Sequence, residues 1–228
     1  MKSLFLCASA LVLALPLSAQ VVGHQPSTSP YLDLEYGQEL TLMAGYIRAR
    51  HDAAGVAPLS QPMIGLRYEI SLTGPLFLSV DALAGSGHRN VIDPIKPAAT
   101  RAIGTQSNST VAADLALGTN ITGFRSWHNL VPQLRAGLGF VRNAAKDDSS
   151  GFAFGTRFAF SYGGGVKYVK GRFQVRGDVT DRLFKLGYPD TYYRIASDNT
   201  AVLPTSTIST FYTHHTALTL GLSYLFGR

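Results

Sequence analysis

Cysteine is all but missing from this chain: there is one, Cys7, and it sits inside a short apolar stretch near the start. Lys2 precedes that stretch, residues 4–17 form it, and Leu17-Ser18-Ala19 closes it with small side chains. Residues 1–19 therefore read as a secretory signal peptide. The run falls short of the ~18 residues a membrane helix needs and is interrupted by Pro16, which argues against an uncleaved anchor. Cys7 lies within the run and not at the cut, which argues against a lipoprotein. Cleavage would remove the thiol, and with it disulfides, thiol chemistry and thiolate metal sites.

Long hydrophobic runs are the second absence. After the leader, no segment offers ~18 consecutive apolar residues, so no membrane helix is expected. A chain that crosses a bilayer as strands would show no such run either, because its apolar residues occupy every second position. Charge is sparse as well, at 15% of residues. The formal balance of +6 becomes +5 once Lys2 leaves with the leader, and the basic residues are dispersed without runs. Nucleic-acid binding finds no support there. Attraction to an anionic membrane surface is the better use of such a charge.

What the chain has in abundance is alternation. In residues 211–226 (FYTHHTALTLGLSYLF), Thr216, Leu218, Leu220, Leu222, Tyr224 and Phe226 fall on one side of an extended strand. His215, Ala217, Thr219, Gly221 and Ser223 fall on the other. The pattern recurs at Leu40–Tyr46, at Ile64–Leu72 and at Leu76–Ala84, and again around Val111–Leu117, Leu134–Phe140, Phe154–Tyr168 and Phe173–Val179. That makes eight strands, an even number as closed antiparallel barrels require. A helical period fits none of them. Residues 51–61, 86–108, 142–152 and 183–210 are long polar connections, whereas Thr73-Gly74 and Lys170-Gly171 mark tight turns and 119–129 is intermediate. Long and short connections thus alternate. The expected fold is all-β: an eight-stranded antiparallel transmembrane β-barrel, an up-and-down meander with short periplasmic turns and long extracellular loops. Residues 20–36 are expected to be a flexible periplasmic lead-in, and 37–228 the barrel.

The signal at 1–19, the eight alternating segments and the closing TALTLGLSYLF resemble the small bacterial outer-membrane β-barrel families, of the OmpA transmembrane-domain, OmpX and OmpW kind. Two features depart from that group. Gly227-Arg228 follow Phe226, where such barrels usually finish on an aromatic residue, and the peptidoglycan-binding domain of some OmpA-type proteins is not expected here. The resemblance implies export by the general secretory route to the outer membrane. Implied partners are outer-membrane lipid and lipopolysaccharide, with periplasmic chaperones and the barrel-assembly machinery during insertion. It also implies loops shown to an extracellular ligand that the residues do not identify.

The inward phase should carry Arg67, Glu69, Asp81, Asp114, Arg135, Arg157, Lys167, Arg176 and Asp178, with Glu39, Arg172 and Arg182 beside them. Eight strands enclose a space just wide enough for side chains to fill. These charges are therefore expected to pair as a plug. A narrow channel for small or apolar solutes is the alternative. Tyr36, Trp127, Tyr168, Phe173, Tyr224 and Phe226 are expected to form an aromatic girdle at headgroup depth. Tyr188, Tyr192, Tyr193 and Arg194 are candidate loop contacts, because exposed aromatics with arginine suit binding surfaces.

Catalytic residues are not expected. The one arrangement that suggests them is outward-facing His214 and Thr216 near Asp181, the kind of set that outer-leaflet lipid A deacylases use to attack an ester. No cofactor is implied. The other histidines are scattered, and His214 and His215 point to opposite faces of a strand, so no metal site is expected.

Overall fold

Alternating residues can satisfy their backbone groups only by pairing with neighbours, and a sheet that closes on itself leaves no edge unpaired. The computed structural model, which describes residues 29–145, 155–207 and 210–227, shows that closure. Among the described residues ten strands form: β1 (Tyr31–Asp33), β2 (Gln38–Ala49), β3 (Gln61–Ser71), β4 (Leu76–Ile92), β5 (Ala102–Asn120), β6 (Arg125–Trp127), β7 (Leu130–Ala145), β8 (Gly155–Lys170), β9 (Phe173–Gly187) and β10 (Thr210–Phe226). Eight of them, all but the three-residue β1 and β6, make an antiparallel meander. It closes where β10 lies along β2, from His215↔Ala49 to Phe226↔Gln38. The leader lies outside the described residues, and among those described no helix is long and apolar enough to span a membrane.

The barrel inverts the polarity of a soluble one. Leu42, Ile64, Leu66, Val80, Leu115, Leu134, Val175, Leu218 and Leu220 all lie on the outside, each about half exposed or more. A continuous apolar band of this kind suits hydrocarbon and not water. At 11 to 19 residues the barrel strands match or exceed what a tilted crossing requires. The surplus projects at the end bearing the long connections. There β4 and β5 stay paired out to Ile92↔Ala102, so the expected loop 86–108 is an extended hairpin with only residues 93–101 outside strands. Similarly, β9 and β10 run to Gly187 and Thr210, into the expected loop 183–210.

At the opposite end the turns are tight. Gly74 and Gly171 have φ of 64° and 62°, values that favour glycine. Lys170 pairs with Phe173, so Gly171 and Arg172 form a two-residue turn. That corrects Arg172: it is a turn residue exposed at the rim and not an inward one.

The lead-in is also more ordered than expected. β1 pairs with β6, which belongs to the β5–β7 connection. In the ring β7 lies opposite β2, so residues 34–37 must cross the barrel mouth to reach it. Hydrogen bonds fix the crossing at both sides, from Leu34 N–H to Phe124 O (2.9 Å) and from Ser71 N–H to Gly37 O (2.7 Å). Beneath this strap lies a cavity of about 440 Å³, with Glu39, Glu69, Lys167 and Gln174 among its lining.

Candidate functional site

The lumen has two storeys. In the half nearer the tight turns, inward side chains from six strands interlock. Arg67 grips Asp81 with two bonds (Nε–Oδ1 2.7 Å, Nη2–Oδ2 3.0 Å) and reaches Asp178 Oδ2 at 3.1 Å. Arg135 adds a bond to Asp81 (2.5 Å) and another to the Thr180 hydroxyl (2.9 Å). Arg176 binds Asp178 (2.9 Å), Glu69 (3.3 Å) and Glu39. Lys167 bridges Glu39 (3.1 Å) and Glu69, and sits 4.9 Å over the Phe77 ring. One level further up, Arg182 meets Asp114 at 2.6 Å. All ten ionic side chains are buried. Five cations face five anions, the balance that an enclosed space of low dielectric demands.

Neutral residues complete this layer, and charge alone would not reveal them. Gln133 donates to Asp178 (2.8 Å), Gln174 to Glu39 (3.0 Å), and Thr41 and Ser223 share a 2.7 Å bond. Only their inward phase signals a role. Gly165 makes room in another way: a Cβ there would overlap the Asp178 carboxylate. Arg157 stands apart from the layer. It lies opposite Val141 near the long-loop rim and is only half-buried.

The second storey was not anticipated. Towards the long loops an apolar cluster joins the inward polar side chains: Met43, Ile47, Met63, Leu83, Val141, Phe184 and Leu186 are buried together, with Gln61, Arg89, Thr110 and Asn143 buried at the same end. The loops close over it. Tyr188 and Tyr192, expected as exposed contacts, are 7% and 0% exposed and stack at 5.6 Å. The Tyr188 ring also stacks on Phe211 at 5.1 Å, and its hydroxyl donates to Asp52 (2.6 Å). Burial, then the Asp52 carboxylate, raise its pKa above the ordinary phenol value, so the donor stays protonated. The correction has a simple cause: an aromatic ring beside an apolar lumen gains more by filling it than by facing water. Tyr193 is half-buried and Arg194 exposed.

The cap is laced across the chain. Asp198 accepts from the Ala98 amide (2.7 Å) and the Thr200 hydroxyl (2.6 Å), and Arg101 donates to the carbonyls of Ala201 (3.2 Å) and Thr200 (3.3 Å). Residues 93–101 and 190–207 thus form one platform. The bonds from Thr200 and then Ala98 hold the Asp198 pKa down to about 2. The unfolded value is about 3.9, so the carboxylate's stabilising contribution is complete above pH ~4 and is lost as pH falls through 2. The Ala98 amide shift followed by NMR should therefore titrate near pH 2; a midpoint near 4 would show that the tether does not form.

The girdle residues gather at the turn end. Phe173 packs edge-on to Tyr224 (5.8 Å), Tyr224 stacks on Phe226 (6.3 Å), and Phe226 lies 6.4 Å from Tyr68. The rim residue Arg172 lies 5.2 Å over Tyr36 and donates to the Tyr224 hydroxyl (3.2 Å). Trp127, in β6, packs edge-on to His128 at 4.8 Å, and Tyr168 is exposed on the apolar phase.

On the outer face the register does bring Asp181, His214 and Thr216 together. Asp181 accepts from His214 Nδ1 (2.6 Å), the Thr216 hydroxyl (3.1 Å) and the Tyr162 hydroxyl (2.8 Å). The carboxylate is the hub. An activated hydroxyl has to give its proton to the histidine, whereas Thr216 gives its hydrogen bond to Asp181. His215 points inward and packs tilted against the Phe184 ring at 4.6 Å. No group of three or more His, Cys, Asp or Glu among the described residues is placed to hold a metal ion.

A closed eight-stranded meander with an apolar exterior and a charged interior is the fold of the small outer-membrane β-barrels. Among solved structures, the chain is similar to Neisserial surface protein A, with a TM-score of 0.53 and 14% identity over 83% of this chain and 97% of that one. It is also similar to the outer membrane protein OprG from Pseudomonas aeruginosa, with a TM-score of 0.53 and 11% identity over 85% and 98%. No family model matches the chain, and no curated protein does. At such identities the likeness is one of fold.

Proposed function

We propose that the protein is a non-enzymatic barrel of the bacterial outer membrane whose lumen is shut and whose role is at the surface: anchorage in lipid and presentation of a rigid loop platform. The rule that outer-membrane barrels keep short turns in the periplasm places the strap inside and the cap outside. The observation that carries the reading is the ion-paired layer, in which Arg67 and Arg176 are each only 1% exposed to solvent in the barrel's narrow centre. The strap below and the apolar storey above add further barriers. The platform of residues 93–101 and 190–207 then offers the exposed side chains of Ile95, Lys96, Arg194 and Ile195 to an extracellular ligand. The Asp181-centred contacts support the absence of acyl-ester chemistry, because the hydroxyl lacks its base.

Planar-bilayer recording with the purified protein tests the closed lumen. No steady conductance is expected from the wild type, nor from Arg176→Ala alone, because the strap and the apolar storey still bar the path. Steady wild-type channels that disappear when lumen arginines are neutralised would replace this reading with a pore.

A further inference from the structure

β8 and β9 pair from Lys170↔Phe173 as far as Ala159↔Phe184 and no further. Both strands continue beyond that level. β8 stays on β7 out to Asn143↔Gly155, and β9 stays on β10 out to Thr210↔Gly187. The wall has therefore parted at the long-loop rim. An open cleft of about 700 Å³ fills the gap, lined among others by Arg157, Phe158, Phe160, Lys185, Leu186 and Tyr212. Arg157 and Leu186 belong to the inward phase, and Phe158, Phe160, Lys185 and Tyr212 to the outward one. In an intact strand the backbone separates those two sets, so one cavity can reach both only where the sheet is open. Behind the opening the interior is filled: Leu186 is 1% exposed, and the cavity beside Phe184 holds about 20 Å³, room for one water. The cleft is a blind seat and not a passage.

We propose that this cleft seats a phosphate-bearing lipid of the outer leaflet, with its headgroup on Arg157 and Lys185 and its hydrocarbon against Phe158, Phe160 and Tyr212. The inference rests on the outer-membrane reading above, which puts this rim at the outer leaflet. Two cations at the mouth supply charge complementarity to phosphate. Below them the rings form a fixed wall, with Phe158 edge-on to Phe160 at 5.1 Å and to Phe140 at 5.9 Å. A bare anion would leave that wall against water, whereas an acyl chain covers it.

The test is native mass spectrometry of the full mature chain, folded in detergent and titrated with diphosphorylated lipid A, with the same lipid dephosphorylated, and with inorganic phosphate. One lipid should be retained per barrel. Retention should fall about tenfold for the dephosphorylated lipid and for an Arg157→Gln/Lys185→Gln variant, and stay unchanged for Lys170→Gln at the opposite rim. Lys185 is exposed, so Lys185→Gln alone should fold, as its gel shift on boiling will report, and should give part of the loss. Equal retention by wild type and variants, or displacement of the lipid by inorganic phosphate, overturns the proposal. So does uptake of an apolar solute through the cleft into liposomes without lipid retention. A conducting pore in bilayers would sink the closed-lumen reading while leaving this result intact.

Discussion

Replacing Arg176 by methionine is expected to destabilise the folded barrel by about 3–5 kcal/mol, the usual cost of stranding a buried charge. The side chain is fully buried and touches three carboxylates, those of Glu39, Glu69 and Asp178. Methionine fills much of the volume but supplies no charge. As cationic partners, Glu39 and Glu69 would keep Lys167 and Asp178 would keep Arg67. One negative charge is left without a counterpart. The urea midpoint for loss of the heat-modifiable gel band measures this. The pair Arg182–Asp114 provides the contrast, because it lies one level above the lower layer as a pair of its own. Arg182→Leu alone should cost several kcal/mol, and Arg182→Leu with Asp114→Leu should restore most of it, since removing both partners removes the desolvation penalty as well. Wild-type stability in Arg176→Met would mean that the ion-paired layer does not hold the barrel together.

Tyr192→Ala is expected to unlatch the cap while the barrel survives. The ring is completely buried, stacks on Tyr188, and belongs to the segment whose backbone carbonyl accepts from Leu203 N–H at 3.0 Å. Truncating a buried aromatic costs about 3–5 kcal/mol. Here that loss falls on a loop whose remaining ties are a few hydrogen bonds, among them those of Asp198 and Arg101. Trypsin should then cut after Arg194, which is exposed in the folded cap but held there by its neighbours. The boiling shift of the gel band should persist, because the strand ladders are untouched. A cap that stays resistant to trypsin would show that Tyr192 is incidental to its order, and loss of the boiling shift would show that cap and barrel fold as one unit.

The alternation that exposed the strands in the sequence works because a two-residue period survives any register. Arg67, Asp81, Arg135 and Asp178 could be assigned to the inside from phase alone. Their partners could not, since which arginine meets which carboxylate depends on how far each strand slides past the next. Phase also failed at its edges. Arg172 has the parity of an inward residue but sits in a two-residue turn, where parity has no meaning. Arg157 has that parity too, yet the parted wall at the rim leaves it half-buried and away from the network. Tyr188 and Tyr192 lie beyond the last residue of β9, where no period exists to say whether a ring turns in or out.

By itself, the sequence determined the number of barrel strands, the side each faces and the inversion of polarity between outside and inside. All of these follow from local geometry that repeats every second residue. Only the tertiary structure decided that the charged layer occupies one half of the lumen and an apolar storey the other. It alone placed the strap across one mouth and the folded cap over the other, and opened the wall between β8 and β9. Those features arise from contacts between residues far apart in the chain, whose meeting depends on register, strand length and closure of the ring.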